Sequence, residues 1–210
     1  MPAIFVVRVW LPDRPGALGA VASRIGAVRG DLIGIDILET GAGRAIDELV
    51  VSLPDDDLVP LLIKEIQEVE GVDVEDIRPV HGELPDARVA ALESAAELLA
   101  QPDRAAVCKA LVEHVRRDFE AEWSAVVPRP GTDLAAVSSG DAPNADWLAA
   151  FLAGSGGTGL ADQGPDDVAW AALTDDGAAL VIGRVGRPFR SRERRQLNAL
   201  ARIVGWRLTL

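Results

Sequence analysis

Apolar residues in the first 80 positions alternate between strand-like runs and stretches with helical spacing. The first run stops at a segment that contains two prolines and Gly16, where a turn is predicted. A helical repeat follows and continues to Gly30. A second helical repeat begins at three consecutive aspartates, residues 55–57, because acidic residues are favourable in the first turn of a helix. Strands are predicted at residues 4–10, 32–38, 45–53 and 72–80, and helices at residues 17–28 and 55–69. This βαββαβ order predicts an antiparallel sheet with both helices on one face.

The pattern changes at residues 81–85, where a glycine and a proline interrupt the periodicity and predict a linker. Beyond it, an Asp-Gly pair at residues 176–177 predicts a tight hairpin between two strands. Helices are predicted at residues 86–100, 102–119, 145–152 and about 197–208, and strands at residues 122–127, 134–137, 168–173 and 178–184. We therefore predict two domains of class α+β, residues 1–80 and residues 86–210.

Composition favours a folded protein in a reducing compartment. The 210 residues are 49% hydrophobic and 26% charged, and the single cysteine, Cys108, excludes a disulfide within the chain. Since no apolar run has bilayer length and the N-terminus lacks a secretion signature, we expect a cytoplasmic protein without membrane contact. The net charge of −12 disfavours nucleic acid as a partner, because nucleic acid attracts basic surfaces.

Positive charge is concentrated at the C-terminal end. Residues 184–210 hold eight arginines against one acidic residue, Glu193. We expect this basic end to contact an acidic part of the chain or an acidic protein partner. A solvated helix face is the favoured interpretation of the arginines from Arg184 to Arg195, over a phosphate site.

The turn after the first strand carries a family signature. The sequence Asp13-Arg14-Pro15-Gly16-Ala17-Leu18 resembles the D-x-P-G-x-L motif of ACT domains, and Gly30-Asp31-Leu32-Ile33 is similar to their G-x-N-I element at the start of strand two. The resemblance covers residues 4–80 and implies a ferredoxin-like fold. It also implies side-by-side pairing into a homodimer, with an amino acid or a similar small effector at the interface.

This resemblance implies a set of ligand-binding residues. They are Asp13, Arg14, Pro15, Gly16, Ala17, Leu18, Asp31, Leu32 and Ile33. The loop opens a helix whose N–H groups suit a ligand carboxylate, and Gly16 allows close approach because it has no side chain. Asp31 stands where many family members have asparagine, and its carboxylate favours an ammonium group. Trp10, at the end of the first strand, is placed to line or report on the pocket.

Each of these features also has a purely structural interpretation. Pro15 and Gly16 are typical of a tight turn before a helix, and Asp31 is typical of a strand start. The aspartates at residues 55–57 are interpreted as a helix cap rather than a cation site.

The second half resembles the GAF domain, a small sensory fold related to PAS. Residues 178–184, followed by Pro188-Phe189 and residues 193–197, are similar to the last strand and the F-x-x-x-(D/E)-x-x-x-L helix entry of that family. The resemblance covers residues 86–210 and implies an α+β GAF/PAS-like fold. The middle of this segment offers neither a chromophore cysteine nor a histidine cluster for haem, so no cofactor is predicted.

No residue set predicts catalysis or a metal site. His81 lies in the linker and His114 is predicted to be exposed on a polar helix, so a Ser-His-Asp arrangement is not supported. Cys108 is interpreted as a core thiol, and the five tryptophans as packing residues. The glycine-rich residues 154–159 formally match G-x-G-x-x-G, but they follow a helix, which favours a linker over a phosphate site.

Together these features predict a non-enzymatic regulatory protein. An amino acid bound at an ACT dimer interface is expected to act on the GAF-like domain or on a protein partner. Two alternatives stay open. One is a ligand-free dimerisation or scaffold module, and the other is a regulatory subunit of an enzyme of amino-acid metabolism.

Overall fold

The chain forms two compact units, Met1–Leu84 and Pro85–Leu210. A computed structural model describes residues 2–80, 87–129, 133–155, 165–174 and 177–209. The predicted linker, residues 81–85, lies outside these ranges.

The first unit has the predicted βαββαβ order. Its elements are β1 (Ala3–Pro12), α1 (Ala17–Ala27), β2 (Asp31–Gly41), β3 (Arg44–Leu53), a short 3-10 helix (Asp56–Leu58), α2 (Val59–Gln67) and β4 (Asp73–Pro79). The strands form one antiparallel sheet in the order β2-β3-β1-β4. Strands β2 and β4 are therefore its edges.

Alternation along the strands decides which sheet face the helices cover. Val7 and Val9 of β1 are fully buried and pair with Leu49 and Asp47 of β3. This face packs against the apolar sides of α1 and α2, which contribute Val21, Ile25, Leu62 and Ile66 to one core cluster. The intervening residues of β1 point to the opposite face.

That opposite face carries an ion-pair network centred on Arg8, which is only 1% exposed. Arg8 donates to the Glu48 carboxylate from Nη2 at 2.8 Å, and Arg78 donates to the same oxygen at 3.0 Å. Burial alone would raise the pKa of Glu48, but the charges of Arg78 and Arg8 and the hydrogen bonds from both hold it below its ordinary value. Glu48 therefore compensates the charge of a buried arginine.

The second unit contains a second four-stranded antiparallel sheet, in the order β6-β5-β8-β7. Its elements are α3 (Ala87–Leu99), α4 (Arg104–Asp118), β5 (Trp123–Val127), β6 (Val137–Gly140), α5 (Ala145–Gly154), β7 (Val168–Ala172), β8 (Ala179–Gly183) and α6 (Ser191–Thr209). The main core lies between the sheet, α4 and α6. A smaller cluster joins α5 to the strands.

Most predicted elements of this unit agree with the structure, and one strand does not. The run at residues 134–137 was predicted as a strand, but β6 begins only at Val137, which pairs with Val126. Leu134 is buried in the main core without belonging to a strand. The predicted β7–β8 hairpin is confirmed, and Gly177 N donates to the carbonyl of Thr174 at 3.0 Å.

Two arginines of the basic end are buried, so the prediction of a solvated helix face was wrong for them. Arg184 donates to the Phe119 carbonyl at 2.7 Å and pairs with Glu193 at 2.7 Å. Arg194 donates to the carbonyls of Val168 and Pro165, at 3.0 Å each. Both guanidinium groups satisfy backbone carbonyls around the connection between β8 and α6.

His114 was predicted to be exposed, but α3 covers this side of α4 and His114 is buried. Its ring lies 3.1 Å from Nη2 of Arg117 and 3.7 Å from the Asp118 carboxylate. Asp118 also accepts a hydrogen bond from Ser94 of α3. The polar side of α4 therefore takes part in a helix–helix contact.

Gly205 of α6 packs directly on a backbone carbonyl, because a Cβ at this position would overlap the carbonyl oxygen of Leu173. We expect Gly205→Ala to destabilise the second unit by about 1–3 kcal/mol, because overpacking outweighs the better helix propensity of alanine. Denaturant unfolding followed by circular dichroism measures this. Gly154→Ala is the matched control, since a Cβ there meets nothing within 4 Å. Equal midpoints for the two variants would contradict this packing.

Candidate functional site

The loop that joins β1 to α1 is a tight turn with Gly16 directly before the helix. Gly16 adopts φ 88° and ψ −14°, the left-handed region that favours glycine. Asp13 N donates to the Gly43 carbonyl at 2.9 Å, which ties the loop to the β2–β3 hairpin. No side chain caps α1, and although Ala17 N donates to the Arg14 carbonyl at 3.3 Å, the first N–H groups of a helix have no acceptor within the helix. These groups give the loop a partial positive charge.

The six predicted loop residues divide into two groups. Asp13, Arg14, Pro15 and Gly16 are exposed, whereas Ala17 is buried and Leu18 packs partly against the core. The accessible part of the predicted site is therefore residues 13–16. The side chains of Ala17 and Leu18 hold α1 on the sheet.

The other predicted residues, Asp31, Leu32 and Ile33, lie at the opposite end of the same sheet. Asp31 pairs with Ser52, which also pairs with Ile4 near the start of β1. The loop follows Pro12, and a strand rise of about 3.4 Å per residue puts the two ends roughly 27 Å apart. One protomer therefore does not bring Asp31 and the loop together.

Strand β2 is an edge strand with an apolar surface. Ile33, Ile35 and Ile37 are all exposed, and Ile37 is the most exposed at 54%. Ile35 and Ile37 pair with Leu49 and Asp47, so they lie on the side of the sheet that carries the helices. The outer backbone groups of an edge strand are also available for pairing with another chain.

Asp47 of β3 is a candidate residue that the sequence analysis missed. It is 3% exposed, it faces the helices beside Val9, and its Oδ1 has no hydrogen-bond partner among the described residues. Burial raises the pKa of Asp47, and the nearby charge of Asp13 raises it further. A buried carboxylate oxygen without a donor is costly. An aspartate inside an otherwise apolar strand is the signal that could have identified it.

The remaining sequence candidates have structural roles. Trp10 lies on the sheet face away from α1, where its Nε1 donates to Glu75 at 2.5 Å, so it does not line the loop. Asp55 accepts a hydrogen bond from Asp57 N at 3.1 Å, as the cap interpretation predicts. Cys108 is buried, and burial raises the pKa of its thiol. The glycine-rich residues 154–159 lie mostly outside the described ranges.

The second unit contains a cavity of about 410 Å³ between β5, β6 and α5. Its wall is mainly apolar, and Ser138 and Asp146 supply polar side chains. This volume is within the range of small-molecule sites.

Comparison with known proteins assigns the first unit. Residues 5–71 match the family model of the ACT domain, which confirms an ACT domain over this part of the chain. ACT domains are regulatory modules that typically bind small-molecule effectors, often as dimers. The match ends before the second unit begins, so the predicted GAF-like domain stays a prediction. No curated protein matches the sequence.

Several solved structures resemble parts of this chain. The ACT domain from GTP pyrophosphokinase of Chlorobium tepidum is 15% identical, with a TM-score of 0.31, over 38% of this chain and 100% of that one. An uncharacterized protein from Thermotoga maritima is 20% identical, with a TM-score of 0.31, over 39% of this chain and 100% of that one. An unknown protein from Galdieria sulphuraria is 14% identical, with a TM-score of 0.35, over 66% and 79% of the two chains. Among the helices that the structure describes, none has the length and apolar character needed to cross a membrane.

Asp47 and Glu48 are neighbours in β3, and replacing each of them is expected to change the stability of the first unit in opposite directions. At neutral pH, Asp47→Asn should raise the stability of the first unit by about 1 kcal/mol, because it removes an uncompensated buried charge. Glu48→Gln should lower it by about 1.5–3 kcal/mol, because the Arg8 guanidinium loses the nearer of its carboxylate partners. Thermal and denaturant unfolding measure both changes.

The pH dependence provides the control. A carboxyl whose pKa is raised by folding stabilises the native state at low pH and loses that contribution as pH rises through the folded pKa. The advantage of Asp47→Asn should therefore shrink as pH falls towards the ordinary value of 3.8. The pKa of Glu48 is lowered, so the deficit of Glu48→Gln should also shrink when acid protonates Glu48 in the parent protein. A stability gap that stays constant from pH 7 to pH 3 would contradict both assignments.

Proposed function

We propose that this protein is a regulator that binds an amino acid at a homodimeric ACT interface. The observation that carries the proposal is that a partial positive charge and a negative charge lie near the same loop, residues 13–16. The positive end of α1 begins at Gly16, and the uncompensated carboxylate of Asp47 lies within electrostatic reach of Asp13. A zwitterion carries the two charges that such a site requires.

Each end of the amino acid has a matching group. The ligand carboxylate would accept hydrogen bonds from the first-turn N–H groups of α1, as anions do at helix N-termini. The ammonium group would lie towards Asp13 and Asp47, and its charge would compensate the buried carboxylate. The site would then lower an electrostatic cost that the free protein carries.

A second copy of the chain would complete the site. Asp31 is level with the start of β1 and Gly41 is level with Pro12, so β2 runs the length of the sheet. If two β2 edges pair antiparallel around a two-fold axis, the start of one strand lies level with the end of the other. Asp31 of one protomer would then lie at the same end as residues 13–16 of its partner. This arrangement unites the two parts of the predicted site, and the exposed isoleucines of β2 would be covered.

The effector signal would pass to the second unit or to a protein partner. The second unit is proposed to be GAF-like, and the protein is proposed to be a non-enzymatic regulator. A cytoplasmic location is also proposed. A scaffold role without any ligand is the second candidate, because the apolar β2 edge alone favours association.

Thermal unfolding with each standard amino acid tests the proposal. A ligand at one hundred times its dissociation constant is expected to raise the stability by about 2.7 kcal/mol. Gly16→Asp should abolish the effect, because a carboxylate at the helix start repels that of the ligand, whereas the isosteric Gly16→Asn should retain part of it. Both residues tolerate the left-handed conformation better than other side chains do. A dimer that responds to no amino acid would instead support the scaffold role.

Mixing two inactive variants tests whether the site is shared between protomers. Gly16→Asp damages the loop, and Asp31→Ala damages the other half of the proposed site. In a mixed dimer both changes fall in one site and the second site is intact, so binding measured by calorimetry should reappear after subunit exchange. If each variant loses binding and the mixture stays inactive, the two halves do not meet across the interface.

A further inference from the structure

The helix α3 is apolar on two opposite sides, although only one of them packs against the rest of its unit. Ser94 and Leu98 are buried against α4 and α6. The opposite side carries an exposed stripe at spacings of three and four residues, formed by Val89, Leu92, Ala96 and Leu99. Leu92 is 73% exposed. A surface helix normally has polar residues on this side.

The helix α6 repeats this arrangement. Leu197, Ala201 and Val204 face the core, while Ala199, Ile203 and Trp206 form an exposed stripe at the same spacing. Trp206 is 77% exposed, so its interpretation as a packing residue was wrong. Seven large hydrophobic side chains are exposed among the described residues of this unit, and five lie on α3 and α6.

The two stripes lie on neighbouring helices. Helix α3 packs against α6, and Nη2 of Arg207 donates to the Gln101 carbonyl, just after α3, at 2.9 Å. The C-terminal ends of the two helices are therefore adjacent. Spacings of three and four residues on both helices are those of a helix–helix seam, in which apolar side chains of one helix fill holes on another.

The charges beside the stripes are of opposite sign. Exposed Glu93 and Glu97 flank the stripe of α3, and exposed Arg195 and Arg202 flank the stripe of α6. If α3 packed on α3 of another copy, the glutamates would face each other, and α6 on α6 would do the same with arginines. Only α3 against α6 brings opposite charges together.

We propose that the second unit pairs with a second copy of itself, with α3 of one protomer against α6 of the other. A two-fold axis makes this contact twice, because the surface is complementary to itself. The four helices would bury both apolar stripes, with the acidic flank of α3 on the basic flank of α6. This contact is separate from the β2 edge and requires no effector.

Sedimentation velocity of the full chain over a wide concentration range tests the contribution of the apolar stripes to the proposed α3–α6 contact. Leu92→Glu and Trp206→Glu should each weaken self-association at least tenfold, because a charge enters the seam. Val185→Glu is the matched control, since Val185 is 76% exposed in the same unit but lies outside both helices. Equal weakening by all three variants, or by none, would overturn the proposal.

A charge exchange tests the pairing itself. Glu93→Arg and Arg202→Glu should each weaken association, and the chain that carries both should recover it, because α3 and α6 exchange signs together. Pairing of α3 with α3 predicts no recovery, and that result would overturn the proposal. Ile35→Arg separates the two surfaces: if it alone produces monomers while Leu92→Glu stays dimeric, the β2 edge pairs copies and the α3–α6 contact does not.

Discussion

Two short helices can cover only one face of the four-stranded ACT sheet, and they leave Ile33, Ile35 and Ile37 of the edge strand β2 exposed. The covered face holds the continuous core around Val7, Val9 and Leu49. On the other face, Glu48 neutralises the charge of the buried Arg8. The edge strand β2 is apolar, and on its outer side no strand of the sheet pairs with it. The polar face and the exposed apolar edge both follow from this unequal coverage.

The fold of the first unit was predictable because local signals agree with each other. Glycine and proline marked every break, and apolar spacing distinguished strands from helices, so the βαββαβ order follows from the sequence. The strand at residues 134–137 was misplaced, because a short apolar run does not reveal whether its residues pair or only fill a core. Leu134 fills the core, and the ladder begins at Val137.

The site was less predictable than the fold, because its parts are distant in sequence. The motif identified the loop at Gly16, but only strand register places Asp31 at the far end of the sheet. Asp47 carries no motif, and its burial depends on the strand register that places it opposite Val9 on the covered face of the sheet. The arginines at positions 184 and 194 were misread for the same reason, since their acceptors include backbone carbonyls such as those of Phe119 and Val168. Charge along a sequence does not show which cations are buried.

The proposed regulation depends on linkage between binding and association. A ligand bound only by a dimer stabilises that dimer, and by the same free energy association tightens ligand binding. If the β2 edges and the α3–α6 surfaces both pair copies of the chain, the first contact raises the effective concentration for the second. An effector that tightens the ACT pairing would then increase pairing of the second units without touching them. In this proposal the ammonium group of the effector would compensate the carboxylate of Asp47, whose Oδ1 has no hydrogen-bond partner among the described residues, and that gain would add to the binding free energy.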